Sequence, residues 1–136
     1  MQISAYLVFP GNCEEAFQAY AKIFGGKIEG VFKWGGTPAE QSVPPQWKDK
    51  VMHASVRIGN DALMGVDEQP DRYQAPKGIS ISVHLSEAAE AERIFSALAE
   101  QGAVSVPMQE TFWAIRFGML TDRFGIPWMI NCGRPM

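Results

Sequence analysis

Polar side chains alternate with apolar ones in three short segments, and these polar side chains are the first candidates for chemistry. The segments are VMHASVRI, GISISVHL and AIRFGML. In an extended strand every second side chain points to the same face. Each segment therefore presents one polar and one apolar face, and the polar set comprises His53, Ser55, Arg57, Ser80, Ser82, His84 and Arg116.

Imidazole and guanidinium groups define the chemistry that these faces could perform. A histidine exchanges a proton near neutral pH or ligates a metal, so His53 and His84 are candidate ligand contacts. Arg57 and Arg116 offer the planar fork that binds a carboxylate or a phosphonate through two hydrogen bonds. Each group has an ordinary alternative, because a strand histidine is often solvated or internally bonded and a single arginine is often a surface ion-pair partner. The sequence leaves both readings open.

The stretch TFWAIRFGMLTDRFGIPWMIN, residues 111–131, adds a concentration of aromatic area. Trp113 and Trp128 are interpreted as core or pocket wall, where aromatic rings dominate packing, and Trp113 is included among the predicted ligand contacts. Glu110 precedes this wall and is either a base with a shifted pKa or a solvated carboxylate. Asp122 lies in the turn between two apolar runs, where its side chain is predicted to bond the backbone.

The spacing of apolar residues predicts the elements that position these side chains. Ile3–Phe9 is a short β-rich run that stops at Pro10-Gly11. Asn12 then caps a helix that ends at Gly25-Gly26, and three extended segments follow. The first module, residues 1–68, thus has the order βαβββ.

The same order restarts after a linker that contains Pro70 and Pro76. GISISVHL is a strand, Ser86 caps a second helix, and AIRFGML and IPWMIN form a hairpin. The buried stripe of the second helix is predicted to be Ala91, Ile94, Phe95 and Leu98. Neither module can bury its sheet alone, so we predict an α+β fold in which modules 1–68 and 77–136 form a single domain, residues 1–136.

A long Gly/Pro-rich segment, WGGTPAEQSVPPQWKDK at residues 34–50, interrupts the first module. Loops of this length without regular structure are uncommon in compact domains unless they are lids or binding arms. The segment is therefore interpreted either as a lid over its own pocket or as an arm across a dimer, and the sequence does not choose between them.

Composition limits the classes of partner. The chain has 136 residues, 46% of them hydrophobic, and a net charge of −3 without runs of like charge, so no basic surface offers itself to nucleic acid or anionic lipid. No apolar run approaches the ~20 residues of a membrane span. Cys13 and Cys132 are too far apart for a CxxC zinc site. We expect a cytoplasmic protein with two reduced thiols and with neither nucleic acid nor membrane as a partner.

Four motifs that cover nearly the whole chain resemble one family. They are, in chain order, FPGNCEEAFQAYAKIFGG, VMHASVRIGNDALMG, AEAERIFSALAEQG and TFWAIRFGMLTDRFGIPWMIN. They look like the PhnB-like branch of the vicinal oxygen chelate superfamily, which includes glyoxalase I, bleomycin-resistance proteins and extradiol dioxygenases. The resemblance implies a cupped mixed sheet that faces a ligand cavity, with paired subunits. We therefore expect a homodimer with a small-molecule pocket lined by the polar strand faces.

The superfamily resemblance also implies a divalent metal that acts as a Lewis acid and is held by His, Gln or Glu on the first and last strands of each module. Alanine and glycine have no side-chain donor, and a thioether is a poor ligand for a hard divalent cation. The usual metal site is therefore predicted to be lost, and no cofactor is predicted. A metal held by other residues stays an alternative. The positions that match the usual ligands are Ala5, Met64, Gly78 and Met129, and the alternative donors are His53, His84 and Glu110.

Three functions remain open. The missing ligands favour metal-independent binding or sequestration of a small, partly aromatic or anionic molecule. A superfamily enzyme of lyase, isomerase or dioxygenase type is the second. The third is a structural dimer whose vestigial pocket is filled by Met64, Met129 and tryptophan side chains. Proteins resembling this branch have been labelled demethylubiquinone methyltransferases. We reject that label, since the chain has no glycine-rich nucleotide loop.

Overall fold

Eight strands and two helices make up the part of the chain that the computed structural model describes, residues 1–134. The chain divides into two compact units, residues 1–74 and 75–136, and the division falls inside the predicted linker. The predicted order, βαβββ followed by βαβββ, is confirmed. The elements are β1 (Ala5–Phe9), α1 (Cys13–Phe24), β2 (Lys27–Lys33), β3 (Val51–Ile58), β4 (Asp61–Asp67), β5 (Ile81–Leu85), α2 (Ala88–Ala99), β6 (Ala103–Gln109), β7 (Ala114–Thr121) and β8 (Pro127–Gly133).

Each unit contains one four-stranded mixed sheet, and the two sheets have the same topology. The strand order is β1-β4-β3-β2 in the first unit and β5-β8-β7-β6 in the second. The first strand of each unit runs parallel to its last strand, and the other pairs are antiparallel. The register is equivalent as well, because Tyr6 lies beside Met64 in one sheet and Ser82 lies beside Met129 in the other.

Helix α1 packs its apolar stripe on the first sheet. Ala16, Phe17 and Tyr20 are fully buried. The helix comes close to β4 at Gly65, where a Cβ atom would lie 2.8 Å from Cζ of Phe17. At the other end Gly25 adopts the left-handed conformation with φ of 66°, which glycine enters without a steric penalty. The predicted helix end is therefore confirmed.

Helix α2 packs on the second sheet through the predicted stripe, since Ala91, Ile94, Phe95 and Leu98 are all buried. Gly118 of β7 lies under this helix, and a Cβ atom there would be 2.7 Å from Cε2 of Phe95. The predicted cap is wrong. The helix begins at Ala88 after an extended Glu87, and no side chain caps it.

A buried carboxylate takes over the capping of α1. Asn12 occupies the cap position but makes no side-chain cap bond. Instead Oδ1 of Asp67 accepts the backbone N–H groups of Gly11 at 3.1 Å and Cys13 at 2.9 Å, and Oδ2 accepts that of Val51 at 2.9 Å. Burial raises the pKa of Asp67, although these N–H donors act in the opposite direction. One side chain thus joins β4 to α1 and β3.

The segment at residues 34–50 is tied to the first unit at both ends. The indole N–H groups of Trp34 and Trp47 both donate to the backbone carbonyl of Asp67, at 3.3 and 3.4 Å. The backbone N–H of Trp34 also donates to the carbonyl of Lys50 at 3.0 Å. Two short 3-10 helices, Glu40–Ser42 and Pro45–Trp47, lie between these anchors. These contacts make the segment part of the first unit's own structure.

Asp122 has the structural role that the sequence predicts. Its Oδ1 accepts the backbone N–H groups of Phe124 and Ile126 at 2.9 and 3.0 Å, and its Oδ2 accepts the indole N–H of Trp128 at 2.8 Å. The side chain is buried together with Trp128. It therefore holds the turn between β7 and β8 and fixes the first residues of β8.

No helix within the described residues is long and apolar enough to cross a membrane.

Candidate functional site

Each sheet has one face against its own helix and one opposite face, called here the helix-free face. Residues that lie directly opposite one another on paired strands point to the same side of a sheet. Ala54 pairs with Gly65 beneath α1 and Gly118 pairs with Ile130 beneath α2. The neighbouring positions along each strand therefore belong to the helix-free faces.

In the first unit, His53, Ser55 and Arg57 lie on the helix-free face, while Ala54 and Val56 between them are buried. The alternation predicted for β3 is confirmed. Nδ1 of His53 lies 3.4 Å from the hydroxyl oxygen of Tyr6, and the two rings are tilted with centroids 5.9 Å apart. Burial raises the pKa of Tyr6, so the hydroxyl stays protonated and can donate to the imidazole.

Arg57 is engaged in an ion pair. Its Nε donates to Oε1 of Glu29 at 2.7 Å, and both side chains are partly exposed. This is the ordinary alternative for a strand arginine, and an exposed pair of this kind contributes little to stability. The guanidinium is therefore not a free fork for an anionic ligand.

In the second unit, Ser82 and His84 lie on the helix-free face beside Met129 and Asn131 of β8. Oγ of Ser82 is 3.1 Å from Nε2 of His84, and Nδ2 of Asn131 is 3.4 Å from its Nδ1. If the amide nitrogen donates, Nδ1 accepts and the imidazole hydrogen is on Nε2. The three side chains then form a neutral chain of hydrogen bonds. Ser80 is exposed and precedes β5.

The predicted orientation of Arg116 is wrong. Arg116 pairs with Cys132, which is buried, and its Nε donates to Oε1 of Glu92 on α2 at 3.0 Å. Alternation shows which residues of a strand share a face, but it does not show which face meets the helix. In β7 the small Gly118 meets the helix, so the arginine lies on that side and reaches past the edge of the helix to Glu92.

An aromatic cluster occupies the helix-free side of β7. Trp113 packs edge-on against Phe112 and Phe117, with centroids 4.8 and 5.3 Å away. Trp113 is 47% exposed and Phe112 is 89% exposed. The loop that carries them is fixed by Arg134, the residue after β8, whose Nη2 donates to the carbonyl of Thr111 at 2.9 Å. Trp113 is therefore surface-accessible and not part of the core.

Asn131 and Phe117 were missed as candidate site residues. Phe117 pairs with Asn131, which in turn lies beside His84, so the three form one row on the helix-free face. Oδ1 of Asn131 is buried without a hydrogen-bond partner. Alternation applied to IPWMIN would have identified this amide, because Trp128 and Ile130 on either side of Met129 are buried.

The positions that match the superfamily's metal ligands do not fit a hard divalent cation. Met64 and Met129 occupy equivalent places on the two helix-free faces, and each offers only a thioether. Ala5 pairs with Leu63 on the helix side, and Gly78 precedes β5. Residues 1–134 contain no group of three or more His, Cys, Asp or Glu that could hold a metal ion.

The alternative metal ligands are engaged elsewhere within their units. Oε2 of Glu110 accepts from Nη2 of Arg134 at 2.9 Å. His84 bonds Ser82 and Asn131, and His53 lies against Tyr6. Glu110 is thus an ion-pair partner at the edge of the aromatic cluster.

A cavity of about 380 Å³ lies at the start of α1, away from the helix-free face. Lys50 is its one lysine or arginine, and Nζ of Lys50 donates to the carbonyl of Gly11 at 3.0 Å. The cavity was not predicted from the sequence. It is lined by Gly11, Asn12, Glu14, Glu15, Asp49, Lys50, Val51 and Asp67.

Known proteins share both the sequence pattern and the fold. A family model described as 3-demethylubiquinone-9 3-methyltransferase matches residues 1–131. The protein PA1353 from Pseudomonas aeruginosa is 48% identical, with a TM-score of 0.90 over 99% of each chain.

Two more distant structures show the fold alone. The PhnB protein from Bacillus cereus is 23% identical, with a TM-score of 0.82 over 96% of this chain and 98% of that chain. A glyoxylase/bleomycin resistance protein/dioxygenase domain from Frankia is 13% identical, with a TM-score of 0.69 over 98% of each chain. The predicted α+β fold and the PhnB-like resemblance are confirmed. The chain belongs to the PhnB-like family, whose model is described as 3-demethylubiquinone-9 3-methyltransferase, and has the glyoxalase/bleomycin resistance/dioxygenase fold.

Proposed function

We propose that this protein binds a small organic molecule on the helix-free faces of its sheets, without a metal ion, and sequesters it. The observation that carries the proposal is the arrangement on the second unit. There an exposed indole, Trp113, packs against Phe117. Phe117 shares a cross-strand row with the exposed imidazole of His84 and with Asn131, whose amide oxygen has no hydrogen-bond partner. Aromatic area with a few placed polar groups is the usual composition of a small-molecule site.

Binding without conversion is supported by the partners of His84. A catalytic base is commonly oriented by a carboxylate on its second nitrogen. Both nitrogens of His84 face neutral groups, Ser82 and Asn131. The arrangement therefore supports a role for the imidazole as a hydrogen-bonding group in the binding of a ligand.

Metal independence is supported by the chemistry of the donors. The two residues that match ligand positions on the helix-free faces, Met64 and Met129, carry soft thioethers. Magnesium and manganese prefer oxygen donors, and zinc sites in proteins are built from imidazole, carboxylate or thiolate groups and not from thioethers alone. The proposed ligand is therefore held by packing and hydrogen bonds.

The family description names methyl transfer, and the turn before α1 bears on that chemistry. Methyl transfer from S-adenosylmethionine normally uses a glycine-rich loop that leads from a parallel strand into a helix. Here the turn between β1 and α1 carries one glycine, Gly11, and its N–H donates to Asp67. That N–H is thus used within the protein, which favours binding on the helix-free face.

A ligand screen with a metal control tests the proposal. Small neutral and charged aromatics would be screened by thermal shift, each with and without EDTA, after elemental analysis of untagged protein. We expect ligands that raise Tm equally with and without EDTA, in proportion to the logarithm of their concentration. We also expect the substitution Trp113→Ala to remove the shift. Stoichiometric metal whose removal lowers Tm and abolishes ligand binding would overturn the proposal.

The proposal includes a homodimer in the cytoplasm. Three large apolar side chains, Phe32, Ile79 and Phe112, are 57%, 70% and 89% exposed. Apolar area of this kind is commonly covered by a second copy. Sedimentation at low micromolar concentration should show a dimer, and a monomer alone would contradict this part of the proposal.

A further inference from the structure

We propose that the helix-free face of the second unit selects a neutral, flat aromatic molecule that presents an N–H donor to the side-chain oxygen of Asn131. The inference rests on the proposed function and names the class of ligand for that site. Three observations carry it: an unpartnered acceptor, an exposed aromatic surface beside it, and the absence of an uncommitted arginine among those that flank this face.

The acceptor is Oδ1 of Asn131. It has no hydrogen-bond partner, while Nδ2 of the same amide lies 3.4 Å from Nδ1 of His84. An unpaired buried carbonyl is unfavourable, because it has lost its water and gained no donor. A ligand N–H would supply the missing donor, whereas a ligand carbonyl would not.

Admission of such a ligand requires the buried amide oxygen to become accessible, and His84 is the exposed neighbour best able to move. Its side chain is exposed, and its hydrogen bond to Asn131 is long. Removing that contact costs little, because the imidazole then bonds water. Its movement is the step that would expose the amide oxygen of Asn131 to a donor.

The aromatic surface is formed by Trp113 and Phe117, whose rings meet edge-on. Phe117 pairs with Asn131, and the ring of Trp113 is 5.3 Å from that of Phe117. Trp113 is about half exposed, so part of its ring area is open to offset stacking. Aromatic rings stack well on such surfaces and gain more than their buried area alone would give.

Charge selects against an anion. Arg116 bonds Glu92 on the helix side, and Arg134 bonds Glu110 beside the aromatic cluster. A carboxylate or phosphonate ligand on this face would meet Arg134 only beside the carboxylate of Glu110, which repels it, while Arg116 lies on the other side of the sheet. Of the two ligand classes that the sequence suggested, partly aromatic or anionic, the anionic one is thus less suited to this face.

The test compares four compounds of matched shape on the full chain. 2-Quinolinone carries the ring N–H, 1-methyl-2-quinolinone lacks it, 6-methyl-2-quinolinone keeps it with the same added bulk, and quinoline-2-carboxylate is anionic. Dissociation constants would be measured by titration of ¹⁵N-labelled protein, with shifts mapped to β5, β7 and β8. We expect the two N–H compounds to bind on the order of tenfold more tightly than the N-methyl compound, and the carboxylate to bind most weakly.

Protein variants locate the effect. Trp113→Ala should weaken the binding of all four compounds. Asn131→Ala should bring the ratio of dissociation constants between the N-methyl compound and the N–H compounds to about one. Val104→Ala, at an exposed position of edge strand β6, is the control and should change neither. The compound comparison on the unmodified protein does not depend on how any variant folds.

The outcomes separate the inference from the proposed function. Equal binding of the N–H and N-methyl compounds, or tightest binding of the carboxylate, would overturn the inference and leave the binding function standing. The inference is also overturned, and the binding function stands, if none of these four compounds binds while the ligand screen yields other molecules that bind this face. If neither experiment yields a ligand, both are overturned.

Discussion

Oδ1 of Asp67 accepts the backbone N–H of Cys13 at 2.9 Å, so the last residue of β4 caps the first helix of the chain. Neutral Asn12 precedes the helix and leaves the capping to a carboxylate from another element. The same carboxylate also bonds Gly11 and Val51. The first unit therefore depends on one buried charge for the placement of three elements.

Replacing Asp67 tests this dependence. Asp67→Asn keeps the shape but turns one acceptor oxygen into a donor that faces backbone N–H groups. A buried polar group left unsatisfied costs about 1–3 kcal/mol, and we expect a loss of unfolding free energy in that range or above. Asp61→Asn, at the exposed start of the same strand, is the control. Urea denaturation that gives the same midpoint for both variants would contradict the role of Asp67.

The close approach of α2 to β7 predicts a severe effect of a single methyl group. In Gly118→Ala the new Cβ would lie 2.7 Å from a ring carbon of Phe95, and overpacking of this kind costs about 1–3 kcal/mol. Gly30→Ala is the matched strand control, because its Cβ would have no neighbour closer than 3.8 Å. Thermal melting should show a lower Tm for Gly118→Ala alone. Similar melting of the two variants would show that the helix can shift away.

The ion pair of Arg116 predicts that this residue is dispensable for ligand binding. Arg116→Gln removes a partly exposed pair with Glu92, which is worth less than about 1 kcal/mol. Binding of neutral aromatics should be unchanged, because Arg116 lies on the helix side of β7. Titration of the variant with 2-quinolinone checks this. A tenfold weaker complex would place the guanidinium at the ligand.

The environment of Cys13 predicts an inert thiol. Burial raises its pKa strongly, and the charges of Asp67 and Glu14 raise it further, so the thiol stays protonated through neutral and mildly basic pH. Because the thiolate is the reactive form, iodoacetamide at pH 8 should leave Cys13 unmodified in the folded protein and alkylate it in urea. Mass spectrometry of the peptide gives the result. Rapid alkylation without denaturant would contradict the burial of this residue.

The sequence predicted most of the fold because its signals are local. Apolar spacing predicted the buried stripe of α2, including Phe95 and Leu98. The glycine pair at residues 25–26 predicted the end of α1. The caps were predicted less well. Asn12 occupies the cap position of α1, but Asp67 from β4 takes the capping role, and nothing adjacent in sequence indicates it. Ser86 lies one residue before the cap position of α2, which Glu87 occupies.

The candidate site was predicted in part. Alternation placed His53 and His84 on the helix-free faces. This signal is strong because a shift of one residue would move every side chain of the strand to the other face. It failed for Arg116, since Gly118 and not an apolar side chain turns toward α2. The partners of Arg57 and Arg116, Glu29 and Glu92, lie on other elements and have no signature in the sequence. Whether these side chains contact a ligand stays a prediction.

The bonds of Asp67 also set the order in which the first unit can form during synthesis. Its partners Gly11 and Cys13 precede it by 56 and 54 residues, so the start of α1 waits for its cap until β4 has left the ribosome. Contacts across such separations form late because a long loop must close first. A nascent chain that ends before residue 67 therefore exposes an uncapped helix and an unpaired β1, and folding of this unit should begin only when its last strand is complete.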